Sequence, residues 1–408
     1  MNEVCFLSHP YHRGGVTQWM ANSFNILNNQ LAPAYFISIN PSQHFISGAN
    51  RPLVLSLLHT KWQHNIFLSN QGKSFELGTT EYRASVYKRL INNNVPTGTP
   101  LIPSDDEACW MAAAGCAAHY PMVAILHADE EIYFSLLNQY QHYVSVCICV
   151  SNRILGQLKI RFPQLASRAM AIPCGIPVED FFPATSKENM ITWIGRLSRY
   201  QKRAQDIIPV FKHARDLGLN FTLQILGHGD YDSAIKEEIN RANLKETVAL
   251  PGWVNSEQVS NSLSKAKVFL QTSDFEGTSV AMMEALASGC SIVSTRVSGV
   301  EDLCSLEEAQ NVIYLYEPGD METGARLLHQ AAMTVDVHTV QQARVLALQF
   351  FDCNRNNRKL IDFVNRVTSQ LNRVQGAYQI PLLSQLLSLP LAVLRGLKWR
   401  ITSTRLNF

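Results

Sequence analysis

The chain has 408 residues and a mass of 45.8 kDa, enough for two or three domains with sizeable cores. At 46% apolar and 17% charged residues, its composition excludes disorder, coiled coil and collagen. Thirty-five Lys and Arg against 33 Asp and Glu leave a net charge of +2, so no global field draws the protein to nucleic acid.

The spacing predicts a strand over residues 4–8, then Gly14-Gly15 leading into a helix over 16–29. Strands are expected at 34–39 and 53–59, and helices at 81–91 and 107–118. Buried strands follow at 122–127 and 144–151 with a helix between them, whereas residues 60–80 fit no pattern. This alternation implies a parallel sheet covered on both faces. The Pro- and Gly-rich stretch 172–183 reads as a domain boundary. Beyond it, strands at 190–194, 221–226, 247–250, 268–272, 291–294 and 312–316 alternate with helices at 204–217, 231–242 and 279–288. Helices at 337–350 and 356–371 close this second domain. The expected division is therefore 1–177, 178–355, and a closing helix with a tail over 356–408. The fold class is α/β, with two Rossmann-like doubly wound domains facing each other across a cleft. Ligand belongs in that cleft, where the carboxyl ends of the strands face each other.

Nine cysteines are scattered without a C-x-x-C pair, which speaks for free thiols in a reducing compartment and against structural zinc. The opening MNEVCFLSHP lacks the basic start and apolar core of a signal peptide. The uncharged run 380–394 is too short for a membrane span and is broken by Pro381, Gln385 and Pro390. A cytoplasmic location is the expectation.

The most informative stretch is FEGTSVAMMEALASG over residues 275–289, running from a strand end into a helix. Gly277, Thr278 and Ser279 bring unpaired N–H groups to the helix start, an anion site. Glu284 lies among Val280, Ala281, Met283 and Leu286, and a carboxylate in so apolar a helix needs a partner. Gly195 opens a second loop that packs Arg196, Arg199, Lys202 and Arg203 between a strand and a helix, suited to a polyanion. A third loop at Gly227 carries Asp230 and Asp232, which read as helix caps and not as metal ligands. In the first half, Gly14-Gly15 allows close approach of a phosphate, and His127 ends an apolar strand at the cleft edge. His9 is a weaker candidate of the same kind.

These residues carry a resemblance. Glu276-x7-Glu284 in its context, Gly195-Arg196 with Lys202, and the Leu250-Pro-Gly-Trp-Val254 turn make the chain to about residue 370 similar to the family 4 glycosyltransferases of the GT-B fold. The resemblance implies retaining, metal-independent transfer of a sugar from a nucleotide sugar, with no cofactor. The acceptor, a saccharide or a lipid-linked molecule, would bind mainly in the first domain and the donor in the second. Arg196 and Lys202 would hold the diphosphate, and Glu276 would contact the sugar. The loop from Gly277 through Val280, with Gly14, Gly15, Gly195 and Gly227, would line the donor. Glu284 would accept from the ribose hydroxyls, Val254 would sit near the base, and His127 would touch the sugar or steady charge at the anomeric carbon. The sequence departs at Gly299-Val-Glu-Asp302, where the family has a proline in place of Glu301. A nucleotide-sugar epimerase and an inactive nucleotide-sugar-binding protein are the competing readings.

The end of the chain stands apart. Residues 370–408 hold Arg373, Arg395, Lys398, Arg400 and Arg405 and no acidic group. Leucine-rich residues 380–397 precede most of these charges, so residues 380–408 either pack on the first domain or meet an anionic membrane surface.

Overall fold

The structure, a computed structural model, describes residues 3–9, 14–39, 54–69, 78–370 and 376–381. Strand β1 (Val4–Leu7), helix α1 (Gly15–Ile26), β2 (Ala34–Ile39), β3 (Ile66–Ser69) and α2 (Thr80–Asn94) open the first half. They are followed by β4 (Leu101–Pro103), α3 (Glu107–Gly115), β5 (Met122–Leu126), α4 (Glu131–Tyr140), β6 (Val144–Cys149), α5 (Asn152–Arg161) and β7 (Ala169–Ala171). The seven strands form one parallel sheet in the order β3-β2-β1-β4-β5-β6-β7. Strands β5 and β6 are buried along their whole length, as helices on both faces of a parallel sheet require.

The second half repeats the plan. It runs β8 (Glu188–Ile194), α6 (Ile207–Asp216), β9 (Thr222–Leu226), α7 (Asp232–Arg241), β10 (Val248–Gly252) and α8 (Ser256–Lys265). Then come β11 (Ala266–Gln271), α9 (Val280–Ala287), β12 (Ser291–Thr295), β13 (Ile313–Tyr316), α10 (Met321–Thr334), α11 (Val337–Phe350) and α12 (Cys353–Gln370). Its sheet has the order β10-β9-β8-β11-β12-β13, again all parallel. In both sheets the order reverses beside the first strand, between β1 and β4 and between β8 and β11. Such switch points open crevices at the carboxyl ends of the strands. Two Rossmann-like sheets facing across a cleft are what the resemblance implied.

Three expectations change. Residues 54–57 form a 3-10 turn and not a strand, and Asn25 of α1 holds its C-terminal end: its amide donates to Leu57 O at 3.0 Å and its oxygen accepts from His59 N at 3.0 Å. One edge strand is β3, inside the stretch that showed no pattern. The short strands β4 and β7 and helices α5, α8 and α10 were not expected from hydrophobic spacing.

Helix α12 does not close the second half. It crosses back, with Cys353 N bonded to Ile176 O at 3.0 Å and Asn356 Nδ2 to Pro173 O at 3.2 Å. Its Leu360, Ile361 and Val364 join the core beneath the first sheet. Farther along, Tyr378 N donates to Ala114 O at 3.0 Å, and the Tyr378 ring stands edge-on to Tyr140 at 5.4 Å. The start of the tail thus packs on the first half; the membrane contact expected of residues 380–408 lies outside the described residues beyond Pro381. Among the described residues no helix is long and apolar enough to cross a membrane.

Candidate functional site

Strands β8 and β11 flank the second switch point, and the loops that leave them carry the charges. The loops are tied together: Thr272 Oγ1 donates to Lys202 O at 2.7 Å, and Asp274 N to Gln201 O at 2.7 Å. Lys202 Nζ then stands 2.6 Å from Glu276 Oε1, which also accepts from Ser273 Oγ at 2.6 Å. Glu276 is only 6% exposed, so its charge depends on these two partners. Arg196, on the same loop, is exposed.

The neighbouring strand ends stack closely. Gly227, at φ 155°, lies so near Gly195 that a Cβ there would sit 1.8 Å from Gly195 O, and its N–H donates to Gly252 O at 2.9 Å. Only glycine fits. Asp232 braces this turn by accepting from Gly229 N at 2.9 Å and by pairing with His228. Tyr231 is the N-cap of α7, so the reading of Asp230 and Asp232 as caps gives way to a turn brace at Asp232 alone. Among the described residues no group of three or more His, Cys, Asp or Glu is placed to hold a metal ion.

Ser279 caps α9, accepting from Met282 N at 3.4 Å. Val280, next in the chain, and Glu284, about one and a half turns on, face a cavity of about 590 Å³ between the two halves. Gln18, Trp19 and Asn22 of α1 line the opposite wall, and Ser256 and Ser260 of α8 the side. Burial pushes the Glu284 carboxyl up to about 8. Among the described residues no lysine or arginine lines this cavity, and Val254 lies outside its lining. Val254 is half-buried beside the exposed Trp253, at the turn that enters α8 through the Asn255–Gln258 capping box.

The first half meets these loops directly. Gly14 opens α1, its carbonyl accepting from Thr17 Oγ1 at 3.0 Å, and a Cβ on Gly15 would stand 3.2 Å from Val280 Cγ2. His127 is buried just past β5, with the Trp19 ring 5.1 Å away and Cys174 Sγ 3.8 Å from Nδ1. Its Nε2 is buried without a hydrogen-bond partner among the described residues. Burial lowers the pKa of the ring to about 3, so the imidazole is neutral at ordinary pH. The His127 carbonyl presses on Gly277, where a Cβ would lie 1.8 Å from it. Ala128 bridges Gly277 in antiparallel fashion, and Asp129 N donates to Glu276 O at 3.1 Å. The strand end at His127 and the loop of Glu276 are therefore in backbone contact across the two halves.

Ser273, Trp19 and Cys174 were not singled out from sequence. Ser273 had a signal, three residues before Glu276 in the same loop; the other two reach His127 only through the packing of α1 and the 172–183 segment. Glu301, the departure from the family pattern, pairs with Arg153 of the first half at 3.4 Å.

Residues 179–332 match the family "Glycosyl transferases group 1". The amylovoran biosynthesis glycosyltransferase AmsK of Erwinia amylovora is 36% identical over 89 residues, 20% of this chain and 22% of that protein. The lipopolysaccharide 1,6-galactosyltransferase of Escherichia coli is 27% identical over 152 residues, 36% of this chain and 41% of that protein. The chain spans less than half the length of the curated relatives it matches. Among solved structures, the pneumococcal O-GlcNAc transferase GtfA in complex with UDP and GlcNAc superposes with a TM-score of 0.69. That match covers 90% of this chain and 99% of that one, at 11% identity, a likeness of fold.

Proposed function

We propose that this chain, which has the GT-B fold and matches glycosyl transferases group 1 over residues 179–332, is a retaining, metal-independent glycosyltransferase. It moves a sugar from a nucleotide sugar to a saccharide or lipid-linked acceptor, in the synthesis of a cell-surface polysaccharide or glycolipid. The observation that carries this reading is the Lys202–Glu276 pair at the switch point, pressed against the strand end of His127. The names of the relatives support transfer to a polysaccharide or lipopolysaccharide, and the UDP in several solved neighbours supports a nucleotide-sugar donor.

Residues 1–177 form the acceptor side and 178–355 the donor side. Arg196 and Lys202 take the diphosphate, whose negative charge grows as the sugar bond breaks, so they stabilise the transition state more than the ground state. Lys202 is shared with Glu276, which aligns the sugar while the N–H groups of Gly277, Thr278 and Ser279 add donors at the start of α9. Glu284 accepts from the ribose hydroxyls. His127, being neutral, acts through a hydrogen bond from or to Nε2 and not through a positive charge. The contact of the two halves around Gly277 keeps water from the reacting carbon.

The protein acts at the cytoplasmic face, where the basic tail would hold it near an anionic surface. The test of function is incubation with a panel of nucleotide sugars and lipid-linked or soluble saccharides, with and without excess EDTA, and NMR of the product linkage. Retention of configuration, unaffected by EDTA, is expected. Inversion, or activity abolished by EDTA and restored by a divalent cation, overturns the reading. Flotation with liposomes, using the full chain and a version ending at Gln379, tests the tail.

A further inference from the structure

The turn from β6 into α5 is bound to the other half of the molecule at every residue. Val150 O accepts from Thr278 Oγ1 at 2.7 Å. The hydroxyl of Ser151 bonds to that of Ser298. Asn152 N donates to Asp302 Oδ2 at 2.7 Å, and Arg153 Nη1 to Arg296 O at 3.4 Å. Four consecutive residues of the first half thus dock on the loop before α9 and on the turn after β12. The two segments they touch also lean on each other, since a Cβ on Gly299 would stand 2.5 Å from Gly277 O.

We propose that Asp302 is a positioning residue for the transfer reaction, fixing the donor loop of one half against His127 of the other; the proposal rests on the function argued above. Asp302 supplies a carboxylate to the first free N–H of α5, so the helix is capped from across the cleft. A charged acceptor at a helix N-terminus makes a short, strong bond. Ser151 caps the same helix from within, accepting from Ile154 N at 3.2 Å, so α5 keeps a local cap when Asp302 is removed. The Arg153–Glu301 pair beside it is longer, at 3.4 Å, with side chains 44% and 32% exposed, a geometry that contributes little. The stronger tie is Asp302.

The consequence is local. With Asp302 removed, the turn over 298–302 keeps its Ser298–Ser151 bond but stands less firmly behind Gly277 and Thr278, and the contact of Glu276 O with Asp129 N loosens. The Glu276 loop, with Lys202 bound to it, then shifts against the backbone of residues 127–129, whereas Glu284 and the cavity beneath it stay as they were. A misplacement of about 1 Å between reacting groups is worth up to roughly a hundredfold in rate.

The test compares Asp302→Ala with Asp302→Asn, which keeps an oxygen that can accept from Asn152 N. In Asp302→Ala, kcat for transfer should fall about tenfold or more, with donor KM and UDP affinity within about threefold of the parent. The share of donor lost to water should rise. Asp302→Asn should recover most of the rate. Hydrogen exchange on the same proteins gives a readout independent of activity: Asp302→Ala should speed exchange over residues 150–153 and 276–279, and leave α9 beyond Glu284 unchanged. Unchanged exchange over 276–279, or an equal rise in KM and fall in kcat, overturns the proposal. Failure of the parent protein to use any nucleotide sugar would instead count against the function, and the exchange experiment would still decide the docking role.

Discussion

Lys202 Nζ lies 2.6 Å from Glu276 Oε1, across the switch point of the second sheet. The ammonium and the carboxylate come from loops 74 residues apart in sequence, and each is largely buried. Neither charge would be tolerated there alone.

Removal of Lys202 should therefore do two things, and removal of Arg196 only one. Each alanine variant should lose roughly 30- to 1,000-fold in kcat, since each cation acts on charge that grows in the transition state. Lys202→Ala should in addition lose about 3 kcal/mol of stability, because the buried Glu276 keeps only Ser273. Arg196→Ala, at an exposed position, should unfold with the parent. Urea titrations beside single-turnover rates separate the two effects.

Two titratable groups of the site, Glu284 and His127, have opposite pH dependences. Glu284 has a pKa of about 8 in the folded protein against an ordinary value of 4.5, so between those values the folded chain holds a proton that the unfolded chain has lost. Stability from this group falls as pH rises through that window. His127 titrates near 3 against an ordinary 6.5, so the unfolded chain holds the extra proton and stability falls as pH drops from 6.5 to 3. Between 4.5 and 6.5 the slopes oppose; from 6.5 to 8 that of Glu284 stands alone. Urea midpoints at about pH 6.5 and 8.5 should differ in the parent, and differ less in Glu284→Gln.

The glutamates should also divide by function. Glu284→Gln should weaken binding of a free nucleoside diphosphate, measured by calorimetry above about pH 8, where Glu284 is a carboxylate and the amide replaces one acceptor of the ribose hydroxyls with a donor. Glu276→Gln should bind the nucleotide and lose turnover. Equal loss of binding in both variants is the result that removes this division.

Gly277→Ala places a methyl group where the His127 carbonyl stands, 1.8 Å from its oxygen. The halves must separate to admit it. Transfer should fall by about a hundredfold or more, as misplacement of reacting groups predicts. Nucleotide affinity should fall less than turnover, because Glu284, the acceptor for the ribose, lies within α9, seven residues on from Gly277. Loss of nucleotide binding in this variant would show that the donor loop and the nucleotide cavity move as one.

Much of this site was legible along the chain because its groups occur at strand ends. An apolar run that gives way to polar or charged residues announces the carboxyl edge of a parallel sheet, which is how Gly195 with Arg196, His127, and Glu276 in the loop before α9 stood out. The parallel strands themselves were legible for a related reason: buried on both faces, they are continuous apolar runs. Edge elements are not. Strand β3, half-buried, and the 3-10 turn at 54–57 take their form from contacts with β2 and Asn25, which local composition does not contain.

The two doubly wound halves, the loop chemistry and the order of the charged groups are written along the chain, because hydrophobic period and turn residues act over a few positions. Three-dimensional packing was needed to bring α12 back to the first half, to pair Lys202 with Glu276, to hold His127 neutral and to set Asp302 on the start of α5. Each of these depends on burial or on a partner far away in sequence, and a pKa or an ion pair has no value until the dielectric and the distance around it are set.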